Sequence, residues 1–176
     1  MSKPQHFTKI LICFSLFLAA GCMAGEGWYD GERWRALHED SRQVARLELD
    51  TSGATELIAQ RVRSVHLQSF EQAGMERMDP DQPVVQVPVF RDHPGGPIRV
   101  AIGGVILQLS DKLSAQAQAD WLAEEGLNVL EAPDGLGWML VASPPGRPSI
   151  ELANRLYKMP DVVQASPNWW RQTATR

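Results

Sequence analysis

The spacing of apolar residues changes along the chain, and each change marks an element. From 98 to 109 apolar side chains run almost unbroken (Ile98, Val100, Ile102, Val105, Ile106, Leu107, Leu109), which predicts an extended, buried strand. Residues 114–125 take helical spacing, with Ser114 placed as an N-cap and Gly126 as the glycine after the last turn. Two short extended runs follow, 127–132 and 137–143, with Asp134-Gly135 as the turn between them. A second helix is expected over 149–159, stopped by Pro160, and a last strand over 162–166.

The N-terminal half is less regular. Residues 28–37 form two aromatic-bearing arms around Asp30-Gly31, a hairpin signal. Residues 43–49 alternate as a strand. Between 55 and 65 the apolar positions Leu57, Ile58, Val62 and Val65 take amphipathic spacing and predict a helix. Residues 74–83 read as a loop, and 84–90 as an edge strand because Pro88 lies inside it. His93-Pro-Gly-Gly-Pro97 is the sharpest break in the chain. The expectation is an α+β protein with a strand-and-helix module at 28–95. A β-α-β-β-α-β module follows at 96–170, the split arrangement of ferredoxin-like folds, then a tail at 171–176. In such a fold Trp121 and Trp138 are expected in the core.

Residues 1–21 read as a targeting segment. Lys3 and Lys9 precede an apolar stretch at 10–20 that is too short to span a bilayer. The stretch ends Leu18-Ala-Ala-Gly-Cys22, which resembles the lipobox of bacterial lipoproteins. That resemblance implies cleavage before Cys22, diacylglycerol on its thiol, and a tether at 22–27. Met23 rather than Asp in the next position implies the outer membrane. The alternative is an ordinary secretory signal with Cys22 as a chance neighbour. With the segment removed, 15 basic side chains face 21 acidic ones, so the net charge moves from −4 to −6. An acidic body argues against nucleic acid as a partner. Cys13 leaves with the signal and Cys22 is used for acylation, so no thiol is left for a disulfide, a metal or a nucleophile.

No residue constellation points to catalysis, a metal or a cofactor. His38, His66 and His93 are far apart, without Cys, His or acidic partners at ligand spacing. No serine sits in a Gly-x-Ser-x-Gly elbow. Gly95-Gly96 and Gly103-Gly104 read as turn and strand-bulge glycines rather than phosphate loops. Glu124-Glu125 lie at a helix end on a solvated face.

The run 153–168 resembles the end of the prodomain that precedes subtilisin-like serine proteases. The matching residues are Leu156, Pro160, Val162, Val163, Ala165, Pro167, Asn168 and Trp169. The upstream strand 105–109, the Glu125-Gly126-Leu127 junction and the strand 138–142 also fit. A weaker similarity, resting on Tyr29, Gly31, Leu37, Val44 and Leu47, links 28–49 to the segment that opens some bacterial prodomains of this kind. The resemblance covers about 70 residues. It departs in that the sequence ends at Arg176 where a prodomain would run on into the protease, so a prodomain-like body without a catalytic domain is expected. In this family the sheet packs on two helices of the protease, and the segment after the last strand lies extended in the substrate cleft. Carried over, this makes Trp169, Trp170, Gln172, Thr173, Ala174 and Thr175 a protease-binding tail that leaves the last strand at Asn168. Side by side on an extended chain, Trp169 and Trp170 face opposite sides. The expected function is a non-enzymatic lipoprotein that binds a subtilisin-like protease as inhibitor or folding chaperone. The alternative is a structural or adaptor lipoprotein of the envelope with another protein partner.

Overall fold

A computed structural model describes residues 26–50, 61–75 and 84–172. Its elements in chain order are β1 Gly27–Asp30, β2 Arg33–Ala36, β3 His38–Asp50, β4 Arg61–Ser69, α1 Phe70–Met75 and β5 Val84–Arg91. They continue with β6 Ile98–Leu109, α2 Ala115–Glu124, β7 Val129–Glu131, β8 Trp138–Val141, α3 Arg147–Tyr157 and β9 Val162–Arg171. The fold is α+β. β1 and β2 form a separate hairpin, and the other seven strands form one antiparallel sheet in the order β4-β3-β5-β6-β8-β7, with β9 also on β6. The sheet curls into a half-barrel.

β6 organises the sheet because it has three neighbours. β9 pairs with it from Arg99 to Leu109; on the other edge β5 pairs at Ile98 and Arg99, and β8 at residues 105–108. A bulge at Gly103 and Gly104 separates the two halves. Two extra residues fit there, with φ of 99° and 77°, values that glycine adopts without steric cost. A Cβ on Gly104 would stand 2.8 Å from Leu140 Cδ1 and 3.2 Å from Val141 O, so it would press on β8.

Neighbouring residues of one strand enter different clusters, as alternation requires. Val105, Leu107 and Leu109 of β6 and Met139 and Val141 of β8 pack under Ala153 and Leu156 of α3 and Trp121 and Leu122 of α2. Both helices therefore cover one face. On the opposite face, Ile98 and Val100 meet Ala45, Leu47 and Leu49 of β3 and Val87 and Val89 of β5. A third cluster joins Trp28 of the hairpin to Leu37, Phe90, Ala101 and Ile150. The sheet thus runs without interruption across the 93–97 segment, through Phe90↔Arg99 and Arg91↔Ile98.

Local chemistry sets the boundaries. The Ser114 hydroxyl accepts the Ala117 N–H at 3.2 Å and starts α2, and Gly126 follows its end at φ 64°. Asp134 Oδ1 accepts the N–H groups of Leu136 and Trp138, which fixes the β7–β8 turn. α3 begins at Arg147 after Gly146, with Pro148 in its first turn. Ser149 is therefore inside the helix, fully buried, with its hydroxyl donating to Pro144 O at 2.6 Å. β5 is not the edge strand that Pro88 implied, since it lies between β3 and β6, but only Phe90 and Arg91 pair with β6, which leaves the stretch around Pro88 paired on the β3 side.

Two further expectations are corrected. Residues 61–65 belong to strand β4, not to a helix; residues 51–60 lie outside those described. β4 carries a bulge: Leu49 pairs with Val62 but Glu48 with Ser64, leaving Arg63 as the extra residue. Val62 and Val65, three apart, therefore face the same core, and that spacing imitates a helical stripe. The last strand also runs five residues past Ser166, to Arg171. Proline is tolerated within it because β9 pairs on one side only among the described residues.

Candidate functional site

The extension of β9 redraws the expected tail. Trp169 is not part of a free segment: its ring meets Trp28 edge-on at 5.6 Å and Phe90 at 6.5 Å between centroids. Trp170 turns to the other face and packs on the β3–β5 cluster. The two do face opposite sides, but both are held by the body. The chain leaves β9 after Arg171, so Gln172 is the first residue beyond the sheet and is exposed. Thr173, Ala174 and Thr175 lie outside the described residues, as does Cys22 with the segment before it.

The face of the sheet behind α2 and α3 is the surface that sequence reasoning missed. Met139 and Val141 point into the helix-covered core, so Trp138 and Leu140 must point the other way. Trp138 is thus corrected from core to sheet surface, whereas Trp121 packs against the core as expected. Leu140 pairs with Ile106 and Ile106 with Ser166; Trp138 pairs with Gln108 and Gln108 with Gln164. These six side chains form two cross-strand rows, all partly exposed, and none belongs to a core cluster. At the rim, Leu136 is 73% exposed and Val163, at a bulge of β9, 56%. Gln108 Nε2 donates to Leu136 O at 2.9 Å and ties the rim to the face. Two aliphatics and a tryptophan among uncharged polar groups is the composition of a non-obligate protein interface. The available signal was the alternation Trp138-Met139-Leu140-Val141, which assigns two apolar residues to each face.

At the opposite end of β9 the hairpin is clamped to the body. Tyr29 stacks on Tyr157 at 4.4 Å, and Asn154 Nδ2 donates to Gly27 O at 2.8 Å. Arg99 lies over Trp28 and Trp169 at 5.5 and 5.9 Å from their centroids, and holds both oxygens of Asp92 at 2.5 and 2.8 Å. That hydrogen bonding, aided by the charges of Arg99, Arg171 and Arg35, keeps the Asp92 carboxyl below its usual pKa despite the desolvation. Asp40 is lowered likewise, first by its hydrogen bond from Arg91 at 2.7 Å. Both pairs join segments distant in sequence or across a turn and are structural.

One group matches a hydrolytic site in residue type only. Ser64 Oγ donates to Glu48 at 2.7 Å and stands 3.0 Å from His66 Nε2, while Glu48 is 3.5 Å from that same nitrogen. A relay needs the acid on the other ring nitrogen, so this is a polar ladder on the outer face of β3 and β4. Among the described residues no cluster of three or more metal-ligating side chains occurs, and no helix is long and apolar enough to cross a membrane. No family model, no curated protein and no solved structure significantly matches the chain.

Proposed function

We propose that this protein is a non-enzymatic envelope lipoprotein whose C-terminal half is a ferredoxin-like body of the subtilisin-prodomain kind, and that it binds a subtilisin-like protease as inhibitor or folding chaperone. The element order β6-α2-β7-β8-α3-β9 and the strand order β9-β6-β8-β7 support this reading. The observation that carries it is the partly exposed sheet face of Ile106, Gln108, Trp138, Leu140, Gln164 and Ser166 behind two helices packed on the other side. The resemblance places that face against two helices of the protease, with the chain beyond Gln172 in the substrate cleft. Binding the folded protease and not the unfolded one would stabilise it by mass action, which is how one surface serves inhibition and chaperoning alike. Acylation of Cys22 would hold the body at the outer membrane.

The adaptor reading has one observation in its favour: Trp169 and Trp170 are part of the body, which leaves a shorter segment for a cleft than the prodomain pattern suggests. Substitution on the sheet face separates the two. Ile106→Glu places a charge at the centre of the proposed contact and should weaken inhibition of a partner protease by about 30-fold, or roughly 2 kcal/mol. Its urea midpoint should stay near that of the parent, because Ile106 is already partly exposed. Unchanged inhibition with an unchanged midpoint would remove the sheet face from the contact.

A further inference from the structure

The hairpin that opens the body is also the part nearest the lipid anchor. Four positions separate Cys22 from Glu26, the first described residue, and an extended chain of that length reaches no more than roughly 14 Å. The body therefore cannot hang freely below the bilayer: whatever surrounds Glu26 lies within one headgroup layer or so of the acyl chains. Glu26 pairs with Arg147 of α3, its carbonyl accepts the Leu37 N–H, and beside it lies strand β2. Its partner β1 is turned into the body, while Arg33, Trp34, Arg35 and Ala36 are all exposed. Trp34 is 44% exposed, an amphipathic ring of the kind that settles at the level of lipid headgroups.

Charge at this pole differs from that of the molecule as a whole. Arg33, Arg35, Arg99, Arg147 and Arg171 gather here against Glu26, Asp30, Glu32, Glu39 and Asp92, so this pole is close to balanced on an acidic protein. Arg35 pairs with Asp30 at 3.2 Å and Arg99 with Asp92, on which the charge of Arg171 also acts, which leaves Arg33 without an acid partner among the described residues. An exposed guanidinium at 33 and an exposed indole at 34, on the strand nearest the anchor, suit a headgroup surface.

We infer that the β1–β2 hairpin rests on the lipid surface through its exposed strand β2, so that the lipidated protein stands with this pole on the bilayer and with Leu136 and Val163 pointing away. The inference rests on the acylation of Cys22 proposed above. It has a consequence for the partner. Trp28, six residues after Cys22, packs on Trp169, three before Gln172, so anchor and tail leave from the same pole. A protein held by the tail would therefore be held at the membrane surface.

The test uses the acylated full-length protein reconstituted into vesicles of phosphatidylethanolamine and phosphatidylglycerol. With the Cys22 thiol consumed the mature chain offers no other cysteine, so single substitutions accept one fluorophore each. Glu32→Cys and Trp34→Cys report on the hairpin; Leu136→Cys and Val163→Cys report on the far end, six residues or roughly 20 Å along β9 from Trp169. Glu32→Cys leaves Trp34 in place and guards against loss of the contact through the substitution itself. Labels at 32 and 34 should be quenched several-fold more strongly by headgroup-level spin-labelled lipid than labels at 136 and 163. Equal quenching at all four sites, or stronger quenching at the far end, on protein whose mass shows the lipid would overturn the orientation alone. A mass showing unmodified Cys22 would overturn the acylation reading and the orientation with it.

Discussion

Replacing Trp28 with alanine is expected to lower the unfolding free energy by about 3–5 kcal/mol, the largest loss for any single side chain of the hairpin. Trp28 is 2% exposed and lies where five segments meet. Its ring packs on Trp169 of β9 and under Arg99 of β6, in a cluster with Phe90 of β5, Ile150 of α3 and Leu37. Removing it leaves a large cavity and withdraws the surface over which Arg99 is stacked. Trp34→Ala, on the exposed strand of the same hairpin, should cost no more than about 1 kcal/mol. Urea unfolding followed by circular dichroism measures both. A loss under about 1 kcal/mol for Trp28→Ala would mean that the hairpin is not a structural part of the body.

Removal of the Asp92 carboxylate by Asp92→Ala should cost about 2–3 kcal/mol at neutral pH, less than for a fully buried pair because the carboxylate is 33% exposed. The guanidinium of Arg99 is the group that suffers. Its side chain is 12% exposed, wedged between two indoles, and its Nη1 has no hydrogen-bond partner among the described residues. The pH dependence carries the same information. The folded pKa of Asp92 lies below the unfolded value, so its contribution is fully present above an unfolded pKa of about 3.9. It is lost as pH falls through the folded value, and Asp40, lowered by Arg91, adds in the same direction. Stability should therefore fall steeply below about pH 4, and less steeply in Asp92→Ala. Identical acid slopes in the two proteins would show that the carboxylate is not held by Arg99.

Much of the C-terminal half was legible because each local signal there agreed with the tertiary outcome. β6 spans the apolar run at 98–109, and Ser114, Gly126 and Asp134-Gly135 punctuate the chain where their chemistry predicts. The failures share a cause. Periodicity assumes an unbroken register, and this sheet has bulges in β4, in β6 and near the start of β9. In β4 the extra Arg63 converted a strand into a false helical stripe. The last strand is expected to end at Ser166, but it runs on through Pro167, because in a strand paired on one side a residue whose N–H side faces away from the partner loses no ladder bond. The proposed docking face was hidden for another reason. A strand with apolar residues on both faces does not say which face a helix covers, and only the placement of α2 and α3 opposite Trp138 decides it.

Protease binding by a body that does no chemistry of its own is the central claim, and one titration addresses it most directly. The soluble body, residues 23–176, would be tested against a panel of subtilisin-like proteases, the host's own included, beside a truncation ending at Arg171, where β9 ends. The expected result is inhibition in the nanomolar to micromolar range of an interface of about 1,600 Å². The truncation should be markedly weaker if the chain beyond Gln172 occupies the cleft. Inhibition that survives truncation but is lost in Ile106→Glu would place the whole contact on the sheet face. Failure of every protease to be inhibited, or helped to refold, by any of these proteins would contradict the claim and leave the adaptor reading in its place.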